Sequence, residues 1–312
     1  MNLRDFQLEA AKTDQVKGDD DKSKLVPLLG LAGEVGTLLS EYKKFLRDGG
    51  AHQRFHEQVA EDLGDLLWYV ANVATKFNLD LDEVAQANLK KVNDRWTLHS
   101  NPSQRTLFDR HPRQLLDEDA IPTQQLPRKF TVVINEMREG ESVRVVVSRN
   151  SEQIGNDLTD NAYEDDGYRF HDVFHLSYAA VLGWSPVTRK LLDVKRKDNG
   201  KTDEVEDGAR AGIIEELISQ LVYTYAREHN FLEGVNSLDY HLLKTIQSLV
   251  ADREVRVRSA AEWETAILQG YLVWRDIREN GGGFVDVDLL AGSVSFRKTD
   301  QTSSHPAHLS HK

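Results

Sequence analysis

The chain has 312 residues, 51 of them acidic against 39 basic, and a formal charge of −12; that length suggests two cores rather than one. The acidic balance argues against a broad phosphate-binding surface and so against a nucleic-acid partner, leaving an anionic substrate dependent on local Lys/Arg or bound cations. No cysteine is present, which excludes disulfides and thiolate metal sites. No apolar run reaches membrane-span length and the N-terminus MNLRDFQLEAAK lacks signal-peptide form, so a soluble, cytoplasmic protein is expected.

Residues 2–16 read as a first helix and GDDDKSK at 18–24 as a charged loop. A second helix covers 24–48, with Pro27 in its first turn and Gly49-Gly50 closing it. Its apolar stripe is Leu28, Leu31, Val35, Leu39, Tyr42 and Leu46. At about 100° per residue, Glu34 and Glu41 fall within about 20° of one another on the meridian flanking that stripe. A third helix, 53–77, carries the stripe Val59, Leu63, Leu66, Val70, Val73 and Phe77, with Asp62 at its edge and Asp65 one turn on. Packed stripes are expected to draw acids of both helices together beside a dry wall. Such charges are costly there unless a cation neutralises them, and Mg²⁺ is a natural partner of carboxylate oxygens and phosphates. A solvated acidic face is the alternative.

A fourth helix follows Asn78-Leu79, with Asp80 and Glu83 at capping-box spacing; Asn88, Lys91 and Arg95 share one of its faces. Residues 99–128, rich in Pro, Gln and charge, read as a connector lying over the surface. The alternation in KFTVVINEM and SVRVVVSRN predicts a hairpin, and GGGFVDVDLLAGSVSFRK near the end alternates again. An isolated hairpin is marginal, so these strands are expected to complete one small sheet. Between them, 159–183, 186–195, 203–229, 236–254 and 260–279 read as helices. The acids Asp160, Glu164, Asp165 and Asp166 are taken as first-turn partners of the helix dipole, with Arg169 and Arg210 as candidate phosphate contacts. The polar tail 299–312 is expected to be disordered.

LAGEVGTLLSEYKK followed by EDLGDLLWYVANVATKFNLDLDEVAQANLKKVNDRW resembles the MazG-like, all-α nucleoside triphosphate pyrophosphohydrolase family. The likeness covers roughly the first third of the chain. That family holds Mg²⁺ over a nucleotide's phosphates with an ExxE on one helix and an ExxD on the next. The resemblance makes Glu34 the first acid of ExxE, places Asp62 where the Glu of ExxD belongs, and makes Asp65 its Asp. Thr37 stands where the second acid of ExxE belongs, and Glu41, a turn further on, can supply that oxygen. Asn88 and Lys91 match residues that approach the nucleotide.

The implied architecture is mainly α: a four-helix domain over 1–98, the connector 99–128, then a second helical domain with a small antiparallel sheet over 129–298. The implied activity is Mg²⁺-dependent (Mn²⁺ as a substitute) cleavage of an NTP or dNTP to the monophosphate and pyrophosphate. Glu34, Glu41, Asp62 and Asp65 hold metal, Glu41 or Glu61 takes the proton of the attacking water, and Lys44 and Lys91 offset the departing pyrophosphate. Trp68, Tyr69 and Trp96 either stack on a base or pack in the core. Long apolar faces on the second and third helices suggest a homodimer. The alternative function is a non-catalytic nucleotide- or metal-binding regulator.

IIEELISQLVYTYARE at 213–228 aligns with QVAEDLGDLLWYVANV, and FHDVFHLSYAAVLGW with AGEVGTLLSEYKKFL, which suggests a diverged internal repeat. It offers a possible second site of His171, Asp172, His175 and Glu216, with Glu215 beside it. HDxxH places two histidines one turn apart, suited to a softer metal, to phosphate contact, or to a satisfied core.

Overall fold

The computed structural model describes residues 1–96, 115–140 and 142–299. The chain divides into two compact units, with the boundary after Asn93. All but the first residue of the tail expected over 299–312, and residues 99–114 of the connector expected over 99–128, lie outside the described residues.

The first unit is four helices. Helix α1 (Leu3–Thr13) opens with a capping box between Asn2 and Asp5. Helix α2 (Asp21–Asp48) starts inside the stretch expected as a loop, because Asp20 caps it by accepting from Ser23 N at 2.7 Å. Pro27 is therefore a buried interior residue rather than a first-turn one, and Ser23 loses its i+4 amide donor. Helix α3 (Phe55–Lys76) returns antiparallel after a turn fastened by Phe45 and Phe55, stacked at 4.2 Å. Helix α4 (Leu81–Trp96) begins at Asp80, whose Oδ1 accepts from Asp82 N at 2.9 Å and Glu83 N at 3.3 Å, as the spacing predicts.

Helices α2 and α3 approach closely at Gly30. A Cβ there would lie 2.1 Å from the Tyr69 ring, so any side chain at this position would push Tyr69 aside. Helix α1 is laced to the others by Trp68 Nε1 donating to Thr13 Oγ1 at 2.7 Å and by Leu81 N donating to Gln7 Oε1 at 2.8 Å. The core around Ala10, Ala71, Ala74 and Leu81, with Leu3, Phe6 and Trp68 against it, is small.

The stripes do not pack on each other as the helical periodicity suggests. Leu28, Val35, Leu39, Tyr42 and Leu46 of α2 are exposed, as are Leu63 and Val70 of α3 and Phe77 just after it. Small residues such as Gly30, Ala71 and Ala74 make the close contacts, and the large apolar side chains are turned outward. The flanking acids Glu41 and Asp62 are buried instead.

The second unit is built on a five-stranded antiparallel sheet of order β3-β2-β1-β4-β5. Its strands are β1 (Lys129–Glu139), β2 (Ser142–Arg149), β3 (Glu152–Gln153), β4 (Gly282–Asp288) and β5 (Ser293–Arg297). The late strands complete the sheet begun by the early hairpin, with Phe130 opposite Val287 and Val132 opposite Val285. Gly282, at φ +137°, is needed where β4 meets Ile134, since a Cβ would fall 2.3 Å from the Ile134 carbonyl oxygen.

Helix α5 (Asp172–Leu182) is buried along its whole length and packs with α10 (Ala260–Asn280) against β4 and β5. Between them come α6 (Pro186–Leu191), α7 (Gly200–Val205), α8 (Ala209–Glu228) and α9 (Tyr240–Leu249). The helix expected from 159 starts only at Asp172. The acids before it fold a loop around a buried cation: Arg169 donates to Asp160 at 2.6 Å, Asp165 at 2.7 Å and Glu136 at 2.7 Å. Arg169 is thus a structural centre, not a phosphate ligand. Residues 115–128, expected over the surface, enter the core: Leu115, Asp117 and Leu126 are all buried.

Candidate functional site

Two groups of polar side chains stand out, one in each unit. In the first, α2 and α3 place the buried carboxylates of Glu41 and Asp62. Glu41 accepts from Lys44 Nζ, three residues on, and from His52 Nε2 at 3.0 Å. Lys44, then His52, hold the Glu41 carboxyl below its ordinary range. Sequence periodicity gives His52 no role; its one signal is a place just past Gly49-Gly50, where the chain turns back beside α2.

Asp62 is the opposite case. Its Oδ2 is buried and has no hydrogen-bond partner among the described residues. A carboxylate oxygen held out of water without a donor is expensive, and a hard cation is the partner that chemistry calls for. Glu34 is half-buried, while Asp65, Glu61, Asn88 and Lys91 are exposed. Glu61 accepts from Gln58 Nε2 at 3.0 Å. Thr37 is exposed, and its Oγ1 lies 3.4 Å from the Gly33 carbonyl of its own helix. The acids of the first unit do not bring three ligand atoms within 4.8 Å of one another among the described residues. The orphaned Asp62 oxygen is the feature of the first unit that suits a hard cation, whereas both Glu41 oxygens are taken by Lys44 and His52. Trp68 and Tyr69 are committed to structure, one to Thr13 and one to the Gly30 backbone.

In the second unit, His171, Asp172 and His175 bring three ligand atoms within 4.8 Å of one another. His171 precedes α5 and the other two lie in its first turn. His175 is fully buried; its Nδ1 lies 2.8 Å from Glu215 Oε1 on α8. Glu215 also accepts from Ser185 Oγ at 2.6 Å and Val187 N at 2.9 Å. His171 Nδ1 lies 2.9 Å from the Tyr168 carbonyl, and the Tyr168 ring stacks on His171 at 4.5 Å. Burial would depress the His175 pKa, but the Glu215 charge and hydrogen bond, with Glu216 nearby, raise it to about 10. Burial also lowers His171, a fall that Asp172 opposes and His175 reinforces. The sequence alignment ranked Glu216 above Glu215. The structure gives Glu215 the buried orienting role and leaves Glu216, with 46% of its side chain exposed, at the edge of the group.

The comparisons with known proteins agree with this division. Residues 24–97 match the MazG nucleotide pyrophosphohydrolase domain, and residues 111–300 match the MazG C-terminal domain. The chain belongs to the MazG family. The first match takes in α2 from its fourth residue, all of α3 and all of α4; the second takes in the sheet and the histidine group, under a separate family model. The Gene 37 protein of Mycobacterium phage L5 is 34% identical over 101 residues, which take in 30% of this chain and 89% of that protein. No solved structure matches. No helix among the described residues is long and apolar enough to cross a membrane.

Proposed function

We propose that the MazG unit hydrolyses a nucleoside triphosphate between its α and β phosphorus atoms, with Mg²⁺ or Mn²⁺ as cofactor, releasing the monophosphate and pyrophosphate. The observation that carries the reading is the orphaned, buried Asp62 Oδ2 inside the stretch that matches a nucleotide pyrophosphohydrolase domain. Glu34, Glu41, Asp62 and Asp65 are the residues that would hold the metal. When bound, it supplies positive charge against the triphosphate and acidifies a coordinated water. Glu41, held anionic by Lys44 and His52, is a poor proton acceptor, so the water's proton passes to the exposed Glu61. Asn88 and Lys91 on α4 orient the phosphates, and Lys44 balances charge at the border of the acids. Each nucleotide is tested with Mg²⁺ by measuring pyrophosphate; saturable binding without turnover would mark a regulator instead.

The active form is a homodimer through the first unit. Outward-facing Leu28, Leu39, Leu46, Leu63 and Val70 form apolar faces on both long helices, more than a monomer normally leaves in water. The unit's own core is small, so a second copy of the same face is the occupant that stabilises it. Leu39→Glu combined with Leu63→Glu is expected to halve the light-scattering mass and to lower the first unit's melting temperature. A wild-type mass equal to one chain at micromolar concentration would remove the dimer.

A further inference from the structure

We propose that the second unit binds a divalent first-row transition metal, Zn²⁺ by preference, through His171 Nε2, His175 Nε2, Asp172 Oδ1 and Glu216 Oε2. This site is independent of the nucleotide reading and of the hard-cation site in the first unit.

The tautomers come first. Glu215 Oε1, as an ionised carboxylate, and the Tyr168 carbonyl can only accept, so the facing Nδ1 atoms of His175 and His171 must carry the protons. Metal binding takes the ring in its neutral form, so the Nε2 proton that His175, raised to about 10, holds at neutral pH leaves as the cation enters. His175 Nε2 is buried and has no hydrogen-bond partner among the described residues. It lies 3.4 Å from Glu216 Oε2, while His171 Nε2 lies 3.8 Å from Asp172 Oδ1 and 3.9 Å from Glu216 Oε2. These separations are long for hydrogen bonds. Donors bound to one ion at Zn–N and Zn–O lengths stand roughly 3.3–3.6 Å apart in a tetrahedron, so a small inward movement closes the set.

The surroundings fit the same conclusion. A histidine ligand whose other ring nitrogen donates to a carboxylate is the recurrent way a metal's ligand is oriented and made more basic. Glu215 plays that part, itself fixed by Ser185 Oγ and Val187 N. Two imidazoles with two carboxylates select Zn²⁺, Mn²⁺ or Fe²⁺ over Mg²⁺, which prefers oxygen and retains its waters. His175 Nε2 has the 3.4 Å approach of Glu216 Oε2 but no hydrogen bond of good geometry among the described residues.

The test uses the full chain in excess Mg²⁺, which occupies hard-oxygen sites. After incubation with Zn²⁺ and desalting, about one equivalent is expected to remain per chain, and Co²⁺ is expected to give the visible d–d bands of a low-coordinate nitrogen–oxygen site. His171→Gln and Glu216→Gln, both at partly exposed positions, are expected to remove the retained metal and the bands with the circular dichroism unchanged. Glu215→Gln, a positioning change, is expected to weaken Zn²⁺ affinity by roughly 10–100-fold and to leave weaker Co²⁺ bands. No retained metal, retention that His171→Gln does not alter, or binding of inorganic phosphate without Co²⁺ bands would each overturn the site.

Discussion

Asp62→Asn is expected to lower pyrophosphate release on the order of 10²–10³-fold, the loss that follows removal of one electrostatic contact to the reacting centre. It should not lower the melting temperature. The two effects separate because Asp62 is buried and its Oδ2 accepts nothing among the described residues. Replacing that oxygen by an amide removes a charge whose burial opposes folding, so the variant is as stable as the parent or more so. Activity lost together with stability gained is the signature of a residue kept for function. Glu57→Gln, an equal change of charge at an exposed residue paired with Arg54 at 3.0 Å, serves as the control and should retain turnover. Full turnover by Asp62→Asn would end the assignment of Asp62 to the metal.

Much of the fold could be read from periodicity and turn chemistry, and the departures have physical causes. Asp80 caps α4 where its spacing to Glu83 places it, because a cap is decided by three or four neighbouring residues. The start of α2 was misplaced since Asp20 competes with Pro27 as a helix opener, and a side-chain acceptor for Ser23 N outweighs proline's preference for the first turn. The acids before α5 look like dipole partners in sequence. Their true partner, Arg169, also takes Glu136 from β1, a tertiary contact that no local pattern contains. Of the candidate site, the residue types and the helices that carry them were legible. Which acid turns inward was not. Period fixes the relative angles of Glu34, Glu41 and the apolar stripe, but the absolute rotation of α2 is set by what covers it. Large apolar residues normally decide that rotation; here Gly30 against Tyr69 does. The same limit separates Glu215 from Glu216: adjacent residues point about 100° apart, and only the position of Ser185 and Val187 selects the first.

Asp117→Ala is expected to destabilise the second unit by about 3–5 kcal/mol, the cost of leaving a buried cation without its partner. Asp117 accepts from Leu126 N, Arg128 Nη1 and Arg189 Nη2, each at 2.7 Å. Arg189 is 1% exposed and lies 3.6 Å from Asp207. Asp207 in turn pairs with Arg196 at 2.7 Å, and Arg196 with Glu254 at 2.6 Å. This chain of charges ties the segment before β1 to α6, the loop before α8 and the loop before α10. Burial is the largest influence on Asp117 and would raise its pKa, yet the Leu126 amide, Arg189 and Arg128 together hold it below 3.8. Arg189 is instead pushed down, by burial and by Arg196. The two shifts differ because Arg189 faces a second guanidinium, Arg196, across Asp207, while Asp117 has two cations of its own, Arg189 and Arg128. A carboxyl depressed in the folded state stabilises above its unfolded pKa, and that contribution is lost as pH falls through the folded value. The gap between wild type and Asp117→Ala should therefore be full at neutral pH and narrow below 3.8. At neutral pH it should appear as a fall in melting temperature on the order of 10 °C. Asp117→Asn, which keeps an acceptor for Leu126 N, should lose less. A melting temperature for Asp117→Ala within a degree or two of the parent would show that water, rather than this carboxylate, solvates Arg189.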